Sequence, residues 1–317
     1  NHEAIKHLNG FETKFPDSPF LINAYYLIGL DFQQERKSED RKSKRDIDPA
    51  GAIGAFLKAE TTFDSLYCNS SIPEDKLEYF ITLRYRAILE RALTTMKLPE
   101  KSEETSRQVH LENAEKILHR MYTDFENPNH SLAKALASGE SYSRLQEECA
   151  YYLTKCYIKA NNDKAAEKVI RKMLEKYQSA KITRGYYLSR LWYQQGIINT
   201  KRDKNDLALE NFIHAGNSFH HTLVISSADE LLDLWIQQSL CYRALNRMDE
   251  AMLLLSKVIN YDAISAYRLK AMYLRAKIYE DQGRYELARK QLEATAQKGG
   301  KWALKAKAKL EKNYVYQ

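Results

Sequence analysis

Glycine and proline are scarce, with only 11 Gly and 6 Pro among 317 residues. Average proteins contain about 7% Gly and 5% Pro, so usage falls to roughly half or less. All six prolines lie within residues 1–128. β-Sandwiches and β-barrels need turn residues about every 8–12 positions, and phosphate-binding loops need several glycines. The composition therefore argues against these architectures and favours a chain built almost entirely of helices.

Other familiar signals are also missing. No apolar run reaches the ~18 residues of a membrane span, and residues 1–6 begin inside an amphipathic pattern, so we interpret the chain as mature or trimmed. The sequence lacks GxSxG, HExxH, Walker and dinucleotide-binding motifs. These absences predict no enzyme activity, no catalytic residue, no cofactor and no metal site.

Charge and tyrosine content describe what is present. The 49 Lys and Arg exceed the 42 Asp and Glu to give a net charge of +7. This excess permits an acidic partner without requiring nucleic acid. Tyrosine is abundant, with 22 Tyr against 10 Phe and 3 Trp, and hydrophobic residues form 44% of the chain. The chain can therefore build a substantial core.

A repeated frame runs through the second half of the chain. In its clearest copy, Trp192 is followed by Gly196, and then by Ala208, Phe212 and Ala215. The same frame fits three further segments without gaps, over 150–173, 235–258 and 272–295. Its anchor alanines, which are 42, 43 and 37 residues apart, are Ala166, Ala208, Ala251 and Ala288. Antiparallel helices approach closely only where a small residue on one receives a bulky residue from the other. The frame therefore predicts stacked pairs of helices.

This frame resembles the tetratricopeptide repeat (TPR), whose pattern is an aromatic residue, then Leu-Gly, Tyr, Ala, Phe, Ala and Pro. The resemblance covers about residues 147–297. It departs from the family in its longer spacing, since about 34 residues is usual, and in lacking the closing proline. It implies an all-α, right-handed α-solenoid of antiparallel helix pairs with a C-terminal capping helix. We predict a single solenoid over 1–317, with these parts: 1–15, the second helix of a truncated repeat whose neighbours lie upstream; repeats over 18–68 (with a charged insertion at 35–49), 73–126, 141–178, 184–220, 227–261 and 265–297; and a capping helix over 300–314.

The front of the chain is similar to one branch of that family. The residues that carry this are Ala4-Ile5-x2-Leu8-x2-Phe11, Lys14-Phe15-Pro16-Asp17-Ser18-Pro19 and Ala24-Tyr25-Tyr26-Leu27-Ile28-Gly29. They resemble TPR modules of bacterial envelope lipoproteins of the outer-membrane-assembly and Tol–Pal-associated types. The resemblance implies a periplasmic or envelope-associated protein, with a cytoplasmic location as the alternative. The matching second helix carries Ala52, Phe56 and Ala59.

In TPR proteins the first helix of each pair lines a concave binding surface. Carried over residue by residue, the fifth frame position falls on Tyr26, Tyr151, Tyr193, Ile236 and Tyr273. The cations beside these positions are Lys155, Lys159, Arg190, Lys201, Arg243, Lys270 and Lys277. Tyrosine suits the binding of an extended peptide or a partner helix, because it combines rigid apolar area with one polar group. The alternative is that these tyrosines pack against the neighbouring repeat.

Three smaller features have structural interpretations. His214, His220 and His221 are too few for a zinc site, so we place them at a helix end and a loop. Three cysteines (Cys149, Cys156 and Cys241) fall at small, buried frame positions and are predicted to be structural thiols, whereas Cys68 is predicted to be exposed. In the capping helix, Trp302, Ala303, Ala306 and Leu310 form a docking stripe, and the solvated side is predicted to carry Lys301, Lys305, Lys309 and Lys312.

The leading functional hypothesis is a non-catalytic scaffold that binds a protein or peptide. The first alternative is a nucleic-acid or polyanion binder that uses lysines of the charged insertion and the capping helix. The second is a helical arm of an enzyme whose catalytic domain lies outside this chain. The family's clamp for chaperone tails needs Lys and Asn where this chain has Tyr, Gln and Leu, which argues against that class of partner.

Overall fold

The computed structural model describes residues 11–33, 48–98, 104–127, 129–136, 140–183, 185–218, 228–261 and 266–314. No strand occurs among these residues, and the predicted all-α fold is confirmed. The helices are α1 (Phe20–Phe32), α2 (Pro49–Cys68), α3 (Leu77–Met96), α4 (Glu104–Glu126), α5 (Ser131–Leu136), α6 (Glu140–Lys159), α7 (Asp163–Ser179), α8 (Tyr186–Lys201), α9 (Asn205–Asn217), α10 (Ala228–Ala244), α11 (Met248–Tyr261), α12 (Ala266–Asp281), α13 (Tyr285–Ala296) and α14 (Lys301–Asn313). A single 3₁₀ turn, Glu74–Lys76, precedes α3, and the short helix α5 was not predicted.

The chain divides into two compact units, residues 1–173 and 174–317. In the first unit α1 packs on α2, α2 on α3, α3 on α4 and α4 on α6, and α3 also contacts both α1 and α6. In the second unit each helix from α8 to α14 packs on the next one along the chain, and α12 also contacts α10 and α14. Consecutive helices are therefore the main packing partners in both units.

The frame positions form the core, as predicted. All four anchor alanines are fully buried, namely Ala166, Ala208, Ala251 and Ala288. The small residues of the preceding helices are buried as well, and these are Thr154, Gly196, Ser239 and Ala276. The hydroxyls of Thr154 and Ser239 donate to backbone carbonyls one turn earlier in their own helices. These bonds satisfy both hydroxyl donors within their own helices.

Four helix pairs carry the frame, namely α6–α7, α8–α9, α10–α11 and α12–α13, and we call them the frame hairpins. The turn of each frame hairpin contains one residue in the left-handed region. Its φ is 58° at Asn161, 56° at Asp203, 59° at Asn246 and 72° at Gly283. In every case the next residue donates its N–H to the carbonyl five positions earlier, at 2.8–3.0 Å, which closes the end of the first helix. Asn or Gly occupies three of these positions, and Asp occupies the fourth. Asp tolerates positive φ less well than Gly does, but better than most residues.

Two glycines allow a phenylalanine ring to lie against the backbone of the opposite helix. A Cβ added at Gly196 would lie 2.5 Å from Cε1 of Phe212, and one added at Gly29 would lie 2.4 Å from Cε1 of Phe56. Both rings belong to fully buried side chains. The α1–α2 and α8–α9 pairs therefore share one packing contact, although α1 and α2 are joined by the longer connection over residues 33–48.

The capping helix α14 docks through the predicted stripe, since Ala303 and Ala306 are buried and α14 packs on α13. The prediction for Lys309 was wrong. Its Nζ lies 2.6 Å from Glu280 Oε2, and its side chain is only 19% exposed. Lys309 follows Trp302 by seven residues, which is two helical turns, so both side chains lie on the docked side of α14.

Substitution of Gly29 and Gly196 tests how much the contact between glycine and the phenylalanine ring contributes to stability. We expect Gly196→Ala and Gly29→Ala each to lower the free energy of unfolding by about 1–2 kcal/mol, because overpacking outweighs the gain in helix propensity. Gly54→Ala is the matched control, because Gly54 lies in α2 with nothing within 4 Å of an added Cβ. That variant should gain up to about 1 kcal/mol. Urea unfolding followed by circular dichroism measures all three, and equal effects at Gly196 and Gly54 would contradict the steric argument.

Candidate partner-binding surfaces

In the second unit, one carboxylate links three successive first helices. The phenolic OH of Tyr193 on α8 donates to Asp233 on α10, and Nζ of Lys270 on α12 lies 3.1 Å from the other oxygen of Asp233. On the adjacent turn, the guanidinium of Arg190 donates to both oxygens of Glu230. The structure thus brings together three of the predicted residues. Tyr193 and Lys270 contact different oxygens of Asp233, and Arg190 contacts both oxygens of Glu230. It fixes all three before any partner binds.

A second group of charges lies toward the C-terminal ends of the same helices. Arg243 on α10 binds Asp281 on α12 through two N–H groups, with oxygens at 2.5 and 3.1 Å. Glu280 accepts from Lys309 at 2.6 Å and from the OH of Tyr314 at 2.9 Å. These contacts tie α10 to α12 and α12 to the capping helix.

Lys277 lies among these groups. Burial lowers its pKa, and the nearby cations Arg243 and Lys309 lower it further, against the opposing effect of Asp281 and Glu280. Arg243 and Lys309 therefore repel the ammonium group of Lys277, while Asp281 and Glu280 attract it. An anionic group on a partner would relieve that repulsion.

The remaining predicted residues of the second unit lie in different surroundings. Tyr273 is half-buried, with its ring centroid 5.4 Å from that of Trp302 on the capping helix. Lys201 is exposed at the end of α8. Ile236 is fully buried, so the fifth position of α10 belongs to the core rather than to the surface. We call Arg190, Tyr193, Asp233, Arg243, Lys270, Tyr273, Lys277 and Asp281 the first-helix surface of the second unit.

Tyr26 and Tyr193 occupy equivalent places in the two units. The Tyr193 ring lies 5.5 Å from that of Phe212 at 54°, and the Tyr26 ring lies 5.9 Å from that of Phe56 at 52°. Both tyrosines are half-buried. Each tyrosine thus packs with one side of its ring on a phenylalanine of its own helix pair.

In the first unit, α1 and α6 carry the other predicted residues. Burial raises the pKa of Tyr26, and the nearby Glu90 of α3 raises it further. On α6, the rings of Tyr151 and Tyr152 meet edge to face at 4.8 Å, and Lys155 Nζ lies 5.8 Å from the Tyr151 ring centroid. Lys159 is exposed at the end of α6.

Sequence reasoning missed the carboxylates that hold these side chains. Glu230, Asp233 and Asp281 follow their cationic or phenolic partners by 38–40 residues, and Lys270 follows Asp233 by 37. These separations are close to one repeat length. A search for opposite charges one repeat apart could have found them.

Other chemical sites are not apparent in the described part of the chain. Its His, Cys, Asp and Glu side chains form no group of three that could hold a metal, and His220 and His221 lie outside it. His214 stacks on Trp192, with ring centroids 4.8 Å apart. Among the described residues, no helix is long and apolar enough to cross a membrane.

The cysteine predictions are confirmed. Cys149, Cys156 and Cys241 are free and buried, and Cys68 is free and exposed. Burial raises the pKa of Cys156 and of Cys241 to about 11, and it also raises that of Cys149. Two of the buried thiols donate to backbone carbonyls. Cys149 donates to the carbonyl of Leu118 at 3.4 Å, and Cys156 donates to that of Leu111 at 3.2 Å. The buried thiols are therefore poor nucleophiles at neutral pH.

The solved structures that are similar to this chain include TPR proteins. A crystal structure of nearly identical TPR-like repeats, ascribed to a kinesin light chain of Podosopora anserina, matches with a TM-score of 0.50 and 14% identity, over 72% of this chain and 97% of that one. A tetratricopeptide repeat protein from Parabacteroides merdae ATCC 43184 gives a TM-score of 0.36 and 18% identity, over 81% of this chain and 92% of that one. MamA gives a TM-score of 0.40 and 16% identity, over 68% of this chain and 98% of that one. No protein-family model and no curated protein matches the chain. The first likeness shows a TPR-like fold and, at this identity, the fold alone.

The pH dependence of stability tests the hydrogen bond between Tyr193 and Asp233. Burial and the neighbouring Asp233 raise the pKa of Tyr193 above the ordinary value of about 10. A raised pKa in the folded state means that this contribution to stability is complete below pH 10 and is lost as the pH rises above it. We expect wild type to exceed Tyr193→Phe in stability at pH 8, and to lose about 1 kcal/mol of that advantage by pH 11. Urea midpoints measure this, with Tyr285→Phe as the exposed control, and parallel pH profiles for wild type and Tyr193→Phe would contradict it.

Proposed function

We propose that the chain is a non-catalytic scaffold that binds an extended peptide or a partner helix on the surfaces formed by its first helices. The observation that carries this proposal is the bridge through Asp233. It holds Tyr193 and Lys270 in fixed positions on neighbouring helices. Side chains that are already ordered lose less conformational entropy when a ligand binds, so they add more to affinity.

The chemistry of the first-helix surface of the second unit suits a peptide. Half-buried aromatic rings at Tyr193 and Tyr273 supply apolar area, and arginine and tyrosine are the residue types that often dominate binding energy. The cations beside them can donate to backbone carbonyls or acidic side chains of a peptide. Lys277 adds a preference for a partner that carries negative charge at this point.

The alternative hypotheses gain no support from the described residues. The charged insertion lies almost wholly outside them, and Lys309 is paired with Glu280 rather than exposed for a polyanion. The helical-arm hypothesis places its catalytic domain outside this chain, so no contact among the described residues favours it. Peptide binding therefore remains the proposal with specific residues behind it.

The proposed setting is the bacterial envelope, in the assembly of the outer membrane or of a secretion system. Its support is the similarity of residues 4–34 to TPR modules of envelope lipoproteins. Fractionation of cells that produce the full-length gene product, followed by immunoblotting, tests it. We expect recovery with the periplasmic or envelope fraction, and recovery with cytoplasmic markers alone would favour the cytoplasmic alternative.

A peptide selected from a displayed random library against the purified chain provides the binding test. We expect Tyr273→Ala to weaken binding of that peptide about tenfold or more, as a buried aromatic contact does when it is truncated. Tyr285→Ala is the matched control, because Tyr285 is 54% exposed on the second helix α13. Fluorescence anisotropy measures affinity, and circular dichroism verifies folding. The proposal is contradicted if no peptide is selected, or if both variants bind as wild type does.

A further inference from the structure

Two ion pairs join α2 and α3 in the first unit. Arg84 Nε lies 2.7 Å from Asp64 Oδ1, and Arg91 Nη2 lies 2.6 Å from Glu60 Oε2. Asp64 and Glu60 are one turn apart on α2, and the two arginines are two turns apart on α3. Glu60 is only 5% exposed, so its charge depends on Arg91. The guanidinium of Arg91 is thereby anchored at a defined place between the helices.

A cavity of about 230 Å³ opens beside Arg91, between α2, α3 and α4. This volume corresponds to about eight water molecules. Its apolar lining comes from Ile88, Ile117 and Met121, and its charged lining from Glu60, Arg91, Lys116, Arg120 and Asp124. The cavity therefore combines a small apolar wall with charges supplied by three helices.

Positive charge exceeds negative charge in this cavity. Glu60 is already paired with Arg91, and Asp124 lies 3.5 Å from Nε2 of His130. Lys116 and Arg120 are one turn apart on α4 and both are exposed, and neither forms an ion pair with any residue that the structure describes. In addition, Nε of Arg91 is buried and no described residue accepts a hydrogen bond from it. Burial keeps this N–H away from the open space of the cavity, so the exposed Lys116 and Arg120 are the cations that an anion can reach directly.

We propose that this cavity binds a small organic phosphate monoester. Arg91 lines the cavity from α3, and Lys116 and Arg120 line it from α4, so cationic side chains of two helices border the same space. A tetrahedral dianion can accept from several donors at once, and guanidinium groups match phosphate oxygens well. The volume accommodates a phosphate with a group of a few carbon atoms against Ile88 and Ile117. The site uses none of the residues assigned to peptide binding.

Isothermal titration of the whole chain with phenyl phosphate, inorganic phosphate and succinate, at constant ionic strength, tests the proposal. We expect saturable 1:1 binding of phenyl phosphate, weaker binding of inorganic phosphate and the weakest binding of the dicarboxylate succinate. Lys116→Gln/Arg120→Gln should weaken phenyl phosphate binding at least about tenfold, because charge-assisted hydrogen bonds are lost. If that double variant does not fold, Lys116→Gln alone carries the same expectation at a smaller factor.

Lys164→Gln/Lys168→Gln is the matched control, because it removes two exposed lysines that are one turn apart on α7 and changes the net charge equally. We expect it to bind phenyl phosphate as wild type does. Equal weakening in both double variants would show attraction by overall charge and overturn the proposal. Binding of succinate as tight as that of phenyl phosphate, or no saturable binding to wild type, would overturn it as well.

Discussion

The side chains at the interface of a helix pair set the distance between its two helices. The tightest of these contacts is a phenylalanine ring that lies against a glycine. The contact between Gly196 and Phe212 recurs between Gly29 and Phe56. One pair turns through three residues, and the other is joined through residues 33–48. Because the same contact forms in both, sterics at the interface rather than the turn decide how the helices meet. The ring also supports the tyrosine of the first helix, so a core contact determines where a surface side chain lies.

Ion pairs play different parts in the two units. On the first-helix surface of the second unit, pairs such as Arg243 with Asp281 are partly solvated, and such pairs contribute little to stability. Their main effect is to order long side chains across neighbouring helices. Between α2 and α3 each pair has one deeply buried member, Arg84 or Glu60, and removal of its counterion leaves an uncompensated charge. There the carboxylate of Glu60 and the guanidinium of Arg91 each need the other as a counterion.

Much of the fold could be predicted from the sequence, because the frame records local sterics. The anchor alanines and the small residues opposite them must be small wherever the chain goes, so their spacing is visible in one sequence. The first-helix surface of the second unit depends on pairs of side chains about one repeat apart in the sequence. A change of one residue in that spacing alters which side chains meet. Asp233 was missed for that reason. Lys309 was misplaced because its helical angle was assigned to the wrong side of Trp302, and the short helix α5 is too brief to leave a periodic pattern.

The four frame hairpins share one turn, while the spacing between successive hairpins varies. Three residues separate α6 from α7, α8 from α9, α10 from α11 and α12 from α13. The anchor alanines nevertheless stand 42, 43 and 37 residues apart. The turn within a hairpin therefore has one length, whereas the helices and the segments between hairpins differ in length. Because the turn and the contacts between small and bulky residues lie inside a hairpin, each hairpin is a packing unit whose internal contacts do not depend on the length of the segment that follows it.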